Sequence, residues 1–414
     1  IMKKRCCILF SLFFLLHTSV WSKTITVGEG GEYHSIRTAI QDAQTGDTIQ
    51  VLKGLYKEKN IVVDKPLFLQ GINFPILDGE HKYEILSVKA DNVTISGFLL
   101  RNSGISSLID IAGIKIYDRK NVTIINNKLE GTFFGIYLQN ATNCRVENNE
   151  LRAYAASDQQ SGNGIHCWKC DSLCIIGNSI TRHRDGIYFE FVTNSVIWRN
   201  HSFNNIRYGL HFMFSHNDAY ISNVFHNNSA GVSVMFTHGV KMFNNVFEDN
   251  WGDGCYGIFL KEISDSYIIG NRFLRNTTAI YAEGGTRIQM QKNSFIDNGW
   301  GLKIQASCQD VAIQNNNFIG NTFDVGTNGT LVLNTFNNNY WDKYEGYDLN
   351  KDGKGDVPYH PVSLYSMIVE KNPPAMILFR SFITTLMDKT EKVIPSLTPE
   401  NLKDDHPLMK PLPL

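Results

Sequence analysis

The chain has 414 residues, 43% of them hydrophobic and 19% charged, with Lys plus Arg at 39 against Asp plus Glu at 40 and a net charge of -1. That balance, without a long basic block, argues against nucleic acid as a partner. Length alone sets no domain count, because repeat architectures run long as one body, so internal repetition has to decide it.

Residues 1–22 read as a secretory signal peptide. Lys3, Lys4 and Arg5 precede the apolar run Cys6 to Leu16, and Ser22 is a small residue suited to cleavage. The run is shorter than the roughly 20 helical residues that cross a bilayer, which favours export over anchoring. Further on, Ser35 to Gln44 predicts a short amphipathic helix with Ser35 as N-cap, suited to covering an open first coil.

A repeat then takes over. Nine small residues start it: Gly113, Gly135, Gly164, Gly186, Gly209, Gly231, Gly257, Ala279 and Gly301. One residue after each start stands Ile114, Ile136, Ile165, Ile187, Leu210, Val232, Ile258, Ile280 or Leu302, and two further on another apolar residue follows. Alternation of period two, held in phase through nine units, marks strands with one buried face. A second strand recurs, as in Val122 to Ile124 and Val196 to Trp198, followed by an Asn at a turn: Asn127, Asn149, Asn178, Asn223, Asn245, Asn271 and Asn293. Those asparagines suit a left-handed conformation or a side-chain ladder. The prediction is an all-β chain, a right-handed single-stranded parallel β-helix of the pectin-lyase-like solenoid type, with an N-terminal capping helix and a C-terminal helical tail. Its parts are a signal peptide at 1–22, the β-helix at 23–345, a calcium-loop-like segment and linker at 346–371, and a helical docking or capping tail at 372–414. Residues 152–163 and 249–255 lengthen two rungs and should bulge from the coil.

Stacked rungs about 4.8 Å apart turn equal offsets into surface columns. Four residues after the start, Met213 and Met235 fall on consecutive rungs at an outward phase, and His216 and His238 follow three residues later. His166, Tyr188 and His211 share the offset two after the start. Thioethers select copper and imidazole accepts either of its oxidation states, so Met213, Met235, His216 and His238, with His211, form a candidate copper site. The competing reading is an apolar partner patch of Phe212, Met213, Phe214 and Phe236 with solvated histidines beside it.

Three other features carry chemistry or docking. Arg182 to Asp185, with Glu190, offer acid, base and Arg groups as in a polysaccharide lyase or epimerase, although charged turns on solenoids are usually only solvated. Asp348, Asn350, Asp352 and Asp356 sit at positions 1, 3, 5 and 9 of a loop with Gly353 at 6, matching the front of a Ca²⁺ loop but with Tyr359 where the bidentate Glu belongs. Residues 372–395 form an amphipathic helix, interrupted by Arg380, that either caps the last rung or docks on a partner. Cys144, Cys167, Cys170, Cys174, Cys255 and Cys308 read as packing residues rather than metal or redox ligands.

The segments Arg182-His183-Arg184-Asp185-Gly186-Ile187-Tyr188-Phe189-Glu190-Phe191, Arg207 to Asp218 and Val234 to Val240 resemble the NosD family of periplasmic accessory proteins of nitrous oxide reductase. So do Asn338-Asn339-Tyr340-Trp341-Asp342, the Asp348 loop and the ending Val393 to Glu400. The resemblance implies a non-enzymatic periplasmic protein that works with an ABC transporter's ATPase and membrane permease. It also implies a copper chaperone and nitrous oxide reductase as further partners, with copper, or else sulfur, as the cargo for the reductase's copper centres.

Overall fold

Because every second side chain of a rung is apolar, the backbone of that rung finds its hydrogen-bond partners in the rungs before and after it, and the core forms inside the coil. The computed structural model describes residues 22–106, 108–154, 157–329, 333–393 and 402–414. The leader read from the sequence, at residues 1–22, lies outside the described residues except for Ser22.

Strand pairing is parallel throughout, in one ladder of 13 strands and a second sheet of 25 that joins the other two walls of the coil. The predicted register holds: Ile136 pairs with Ile165, Ile165 with Ile187, Ile187 with Leu210, Leu210 with Val232 and Val232 with Ile258. All six are fully buried. A third column stacks Phe225, Phe247, Phe273, Phe295, Phe318 and Trp341 inside the coil at centroid spacings of 5.4, 4.8, 5.0, 4.6 and 4.2 Å. Each such ring contributes about 1.5–3 kcal/mol by leaving water.

The turn asparagines form a ladder. Asn223 and Asn245 each accept, through the side-chain carbonyl, hydrogen bonds of 2.9–3.0 Å from the backbone and side-chain N–H groups of the ladder residue one rung earlier. The left-handed backbone belongs instead to the preceding residue, as at Asn126, Asn148 and Asn244. Asn200 also belongs to the ladder, and Asn205, Asn228, Asn250, Asn276, Asn298 and Asn321 build a second one. Ser202 replaces the expected apolar side chain in the core and donates 2.7 Å to the carbonyl of Gly209.

Both ends are closed, but not alike. Helix α1 (Ile36–Asp42) lays Ile36, Ala39 and Ile40 over the first coil, and the Ser35 hydroxyl accepts the Thr38 N–H as predicted. At the far end Leu402 is buried and Asp404 accepts from the Asn339 side chain at 3.0 Å and from the Trp341 indole at 3.2 Å, ending the first ladder. The C-terminal helices therefore do not cap the last rung. Helix α2 (Leu364–Lys371) packs Tyr365 and Val369 against Trp300 and Phe323, anchored by a 2.6 Å Lys303–Glu370 ion pair. The single helix expected over 372–395 divides into a 3-10 turn at Pro373–Leu378 and helix α3 (Phe382–Val393), broken at Arg380 where φ is 60°. No helix among the described residues is long and apolar enough to cross a membrane. Cys144, Cys167, Cys170, Cys255 and Cys308 are buried, and with Cys174 the six cysteines among the described residues are free, in keeping with a packing role.

Candidate functional site

The outer wall of one ladder carries the predicted columns. Met213 ends the strand Tyr208–Met213 and lies opposite Met235 in register. Both are half-buried on the outer wall, between the inward Phe212 and Val234 of the same strands. The Tyr188 hydroxyl donates to the Met213 sulfur at 3.7 Å, and burial pushes the Tyr188 phenol up to about 12, so it stays a donor at neutral pH. His211, two residues before Met213, faces the same way but is almost fully buried, with its ring 4.9 Å from Tyr188 and 4.8 Å from Tyr208.

His216 and His238 stack at 4.1 Å with 9° between their planes. Burial, and then the charge of His238, lower the pKa of His216, which keeps that imidazole neutral and able to ligate. The His238 backbone N–H donates to His216 Nδ1 at 3.3 Å, a contact in which Nδ1 accepts and Nε2 carries the ring proton. Phe214 and Phe236 separate this pair from the methionines. The structure thus splits the five predicted residues into two stations, His211 with Met213 and Met235, and His216 with His238. Both Phe residues, and Phe191 before them, adopt left-handed backbone at φ of 49–54°, and their rings stack at 5.4 and 5.1 Å. Bulky residues rarely accept that conformation, and elsewhere the same turn holds Asp118, Asn140, Lys169, Glu262 or Gly284.

Other predicted groups come together differently. His183 is fully buried, 3.3 Å from the Ser161 hydroxyl, with its pKa pushed down to about 3 by burial. It therefore does not share an open face with Glu190, as an acid–base centre would require. Asp185 is buried as well, with Arg207 Nε at 3.4 Å, His211 Nδ1 at 3.8 Å and Arg184 Nε at 4.0 Å. In the Asp348 loop the side chains serve the loop's own backbone: Asp348 accepts from Asp352 and Gly353, Asn350 from Asp352, Asp352 from Lys354 and Asp356 from Leu349. Tyr359, at the twelfth position, packs on Trp341 in the end cap.

One cluster escaped the sequence reading. Among the described residues, His226, Glu248 and Asp249 bring ligand atoms within 4.8 Å of one another. Arg275 already pairs with both carboxylates, at 2.8 Å to Asp249, so an ion pair accounts for it. The signal was His226 and Glu248 in register on adjacent rungs.

Residues 151–346 match the family model described as NosD, periplasmic copper-binding protein. A probable ABC transporter binding protein NosD of Pseudomonas aeruginosa is 28% identical over 370 residues, spanning 85% of this chain and 86% of that protein. One of the same name from Stutzerimonas stutzeri is 25% identical over 369 residues, 84% of each. Among solved structures, the A-module of the mannuronan C-5 epimerase AlgE6 of Azotobacter vinelandii aligns with a TM-score of 0.57 at 15% identity, covering 73% of this chain and 88% of that one. The corresponding AlgE4 module gives 0.51 at 14%, covering 71% and 86%. At such identities the likeness concerns the coil alone.

Proposed function

From the match of residues 151–346 to the NosD family model and the likeness to two relatives of that name over about 85% of the chain, we propose that it is a NosD-family periplasmic accessory protein that holds copper for transfer and carries no enzymatic activity. The observation that carries the reading is the in-register Met213–Met235 pair on the outer wall, with the His216–His238 stack on the same two rungs. Two thioethers favour Cu(I) over the harder divalent ions, and neutral imidazole can follow the metal to Cu(II). The donor set fits copper as cargo: the thioethers carry no charge, and burial favours the neutral form of His216.

The name shared by the relatives supports an ABC transporter as partner; in this reading the protein works with its ATPase and membrane permease, takes copper from a copper chaperone and passes it to nitrous oxide reductase. Sulfur as cargo would leave the methionine pair unused. The docking surface is the C-terminal helical segment, because Ile377 and Phe382 are 89% and 81% exposed and Ile383 and Leu386 accompany them. An apolar face left open beside an anchored helix suits a permease.

Titration of the mature protein with Cu(I) against a chromophoric chelator tests the reading. Met213→Leu with Met235→Leu should abolish tight Cu(I) binding without unfolding the coil. A double variant that binds as the parent does would overturn it.

A further inference from the structure

Resting on the copper reading above, we infer that Asp185 is the carboxylate that orients His211, so that the cargo is held by one imidazole and two thioethers, His211 with Met213 and Met235.

The buried polar atoms around Asp185 motivate this. Both Asp185 carboxylate oxygens, both His211 ring nitrogens and Arg184 Nε are buried without a hydrogen-bond partner. Buried polar groups are nearly always satisfied, so several orphans in one place mark a site of work rather than of packing. His211 Nδ1 lies 3.8 Å from Asp185 Oδ2, just beyond hydrogen-bond range, while Arg207 Nε is ion-paired with Oδ1 at 3.4 Å. Hydrogen bonds of this kind commonly tighten when a ligand binds.

The chemistry gives that shortening a direction. A metal-bound imidazole almost always donates its other N–H to a carboxylate or carbonyl, which fixes the tautomer and raises the basicity of the ligating nitrogen. With Nδ1 turned toward Asp185, Nε2 is left for the metal. Tyr188 and Tyr208 pack on the His211 ring and restrict its rotation, while the Tyr188 hydroxyl holds the Met213 sulfur. Arg207 and Arg184 lie within ion-pair distance of Asp185, at 3.4 and 4.0 Å. In the rungs on either side, Tyr188 and Ser233 occupy the His211 position, so this rung alone sets an imidazole beside the methionine pair. The His216–His238 stack is then a separate station beyond the Phe214 turn.

The test begins on the parent protein without metal. Long-range nitrogen–proton correlation spectra of a histidine-labelled sample should show His211, assigned by its loss in His211→Gln, as the Nδ1–H tautomer. A predominant Nε2–H tautomer would overturn the inference whatever the copper data say. In Asp185→Asn the tautomer should become mixed and Cu(I) affinity should fall about 10–100-fold, and Asp185→Glu should recover part of it. Unchanged tautomer and affinity in Asp185→Asn would also refute the role. If Met213→Leu with Met235→Leu binds Cu(I) normally while the His211 tautomer is as expected, the copper reading fails and the Asp185–His211 contact stands.

Discussion

Acid should destabilise this coil through two buried histidines, and His183→Gln isolates one of them. Burial pushes the pKa of His183 down to about 3, and that of His166 likewise, with Arg184 and Lys115 opposing the charge at His166. Both imidazoles ionise near 6.5 in the unfolded chain. Below that value the unfolded chain takes up protons that the folded chain refuses, so the stabilisation these residues provide is complete above pH 6.5 and is lost as pH falls toward 3. Each histidine costs about 1.36 kcal/mol per pH unit in that window, or about 2 kcal/mol at pH 5. Asp218 works the other way, since burial raises its carboxyl to about 8 and folding then favours the protonated acid as pH falls. Net acid sensitivity of the parent is therefore not diagnostic, whereas the difference between parent and variant is. Urea midpoints at pH 7.5 and pH 5.0, converted to free energies, should show His183→Gln losing about 2 kcal/mol less than the parent over that interval. Equal losses would refute the account of His183 as a neutral buried group.

Three further outcomes follow from the same packing. Asn245→Ala removes the acceptor for the Asn223 backbone and side-chain N–H groups and the donor to Tyr220 O, which should cost about 2–5 kcal/mol and speed hydrogen exchange at the Asn223 amide. Phe273→Ala, in the middle of the ring stack, should cost about 3–5 kcal/mol in urea unfolding. Ile377→Ser with Phe382→Ser should leave the melting temperature unchanged yet reduce co-purification with the membrane complex, and an unchanged yield would remove the docking role. Deleting everything after Asn372 is the poorer test, because Leu402 and Asp404 close the last coil.

The coil was legible because its signal is local and repeated. Ile187, Leu210 and Val232 keep phase whether or not their partners are known, and Met213 facing Met235 follows from that phase alone. What could not be read lies at long sequence separation or on side-chain geometry. The cap formed by Asp404 on Asn339 joins residues 65 apart with no periodicity to announce it. The second asparagine ladder was missed because Ser202 breaks the apolar offset just where that ladder begins. Arg184 and Arg207 both stand two residues before a rung start, so their shared approach to Asp185 was available by the column argument that found the methionines. The Asp348 loop carries a calcium-like spacing, yet spacing does not say whether carboxylates serve an ion or their own backbone.

X-ray absorption at the copper edge of the Cu(I)-loaded mature protein bears most directly on the claim that methionine sulfur holds the cargo. The expected spectrum contains two sulfur scatterers at about 2.3 Å with one nitrogen. A first shell of nitrogen and oxygen alone would contradict it.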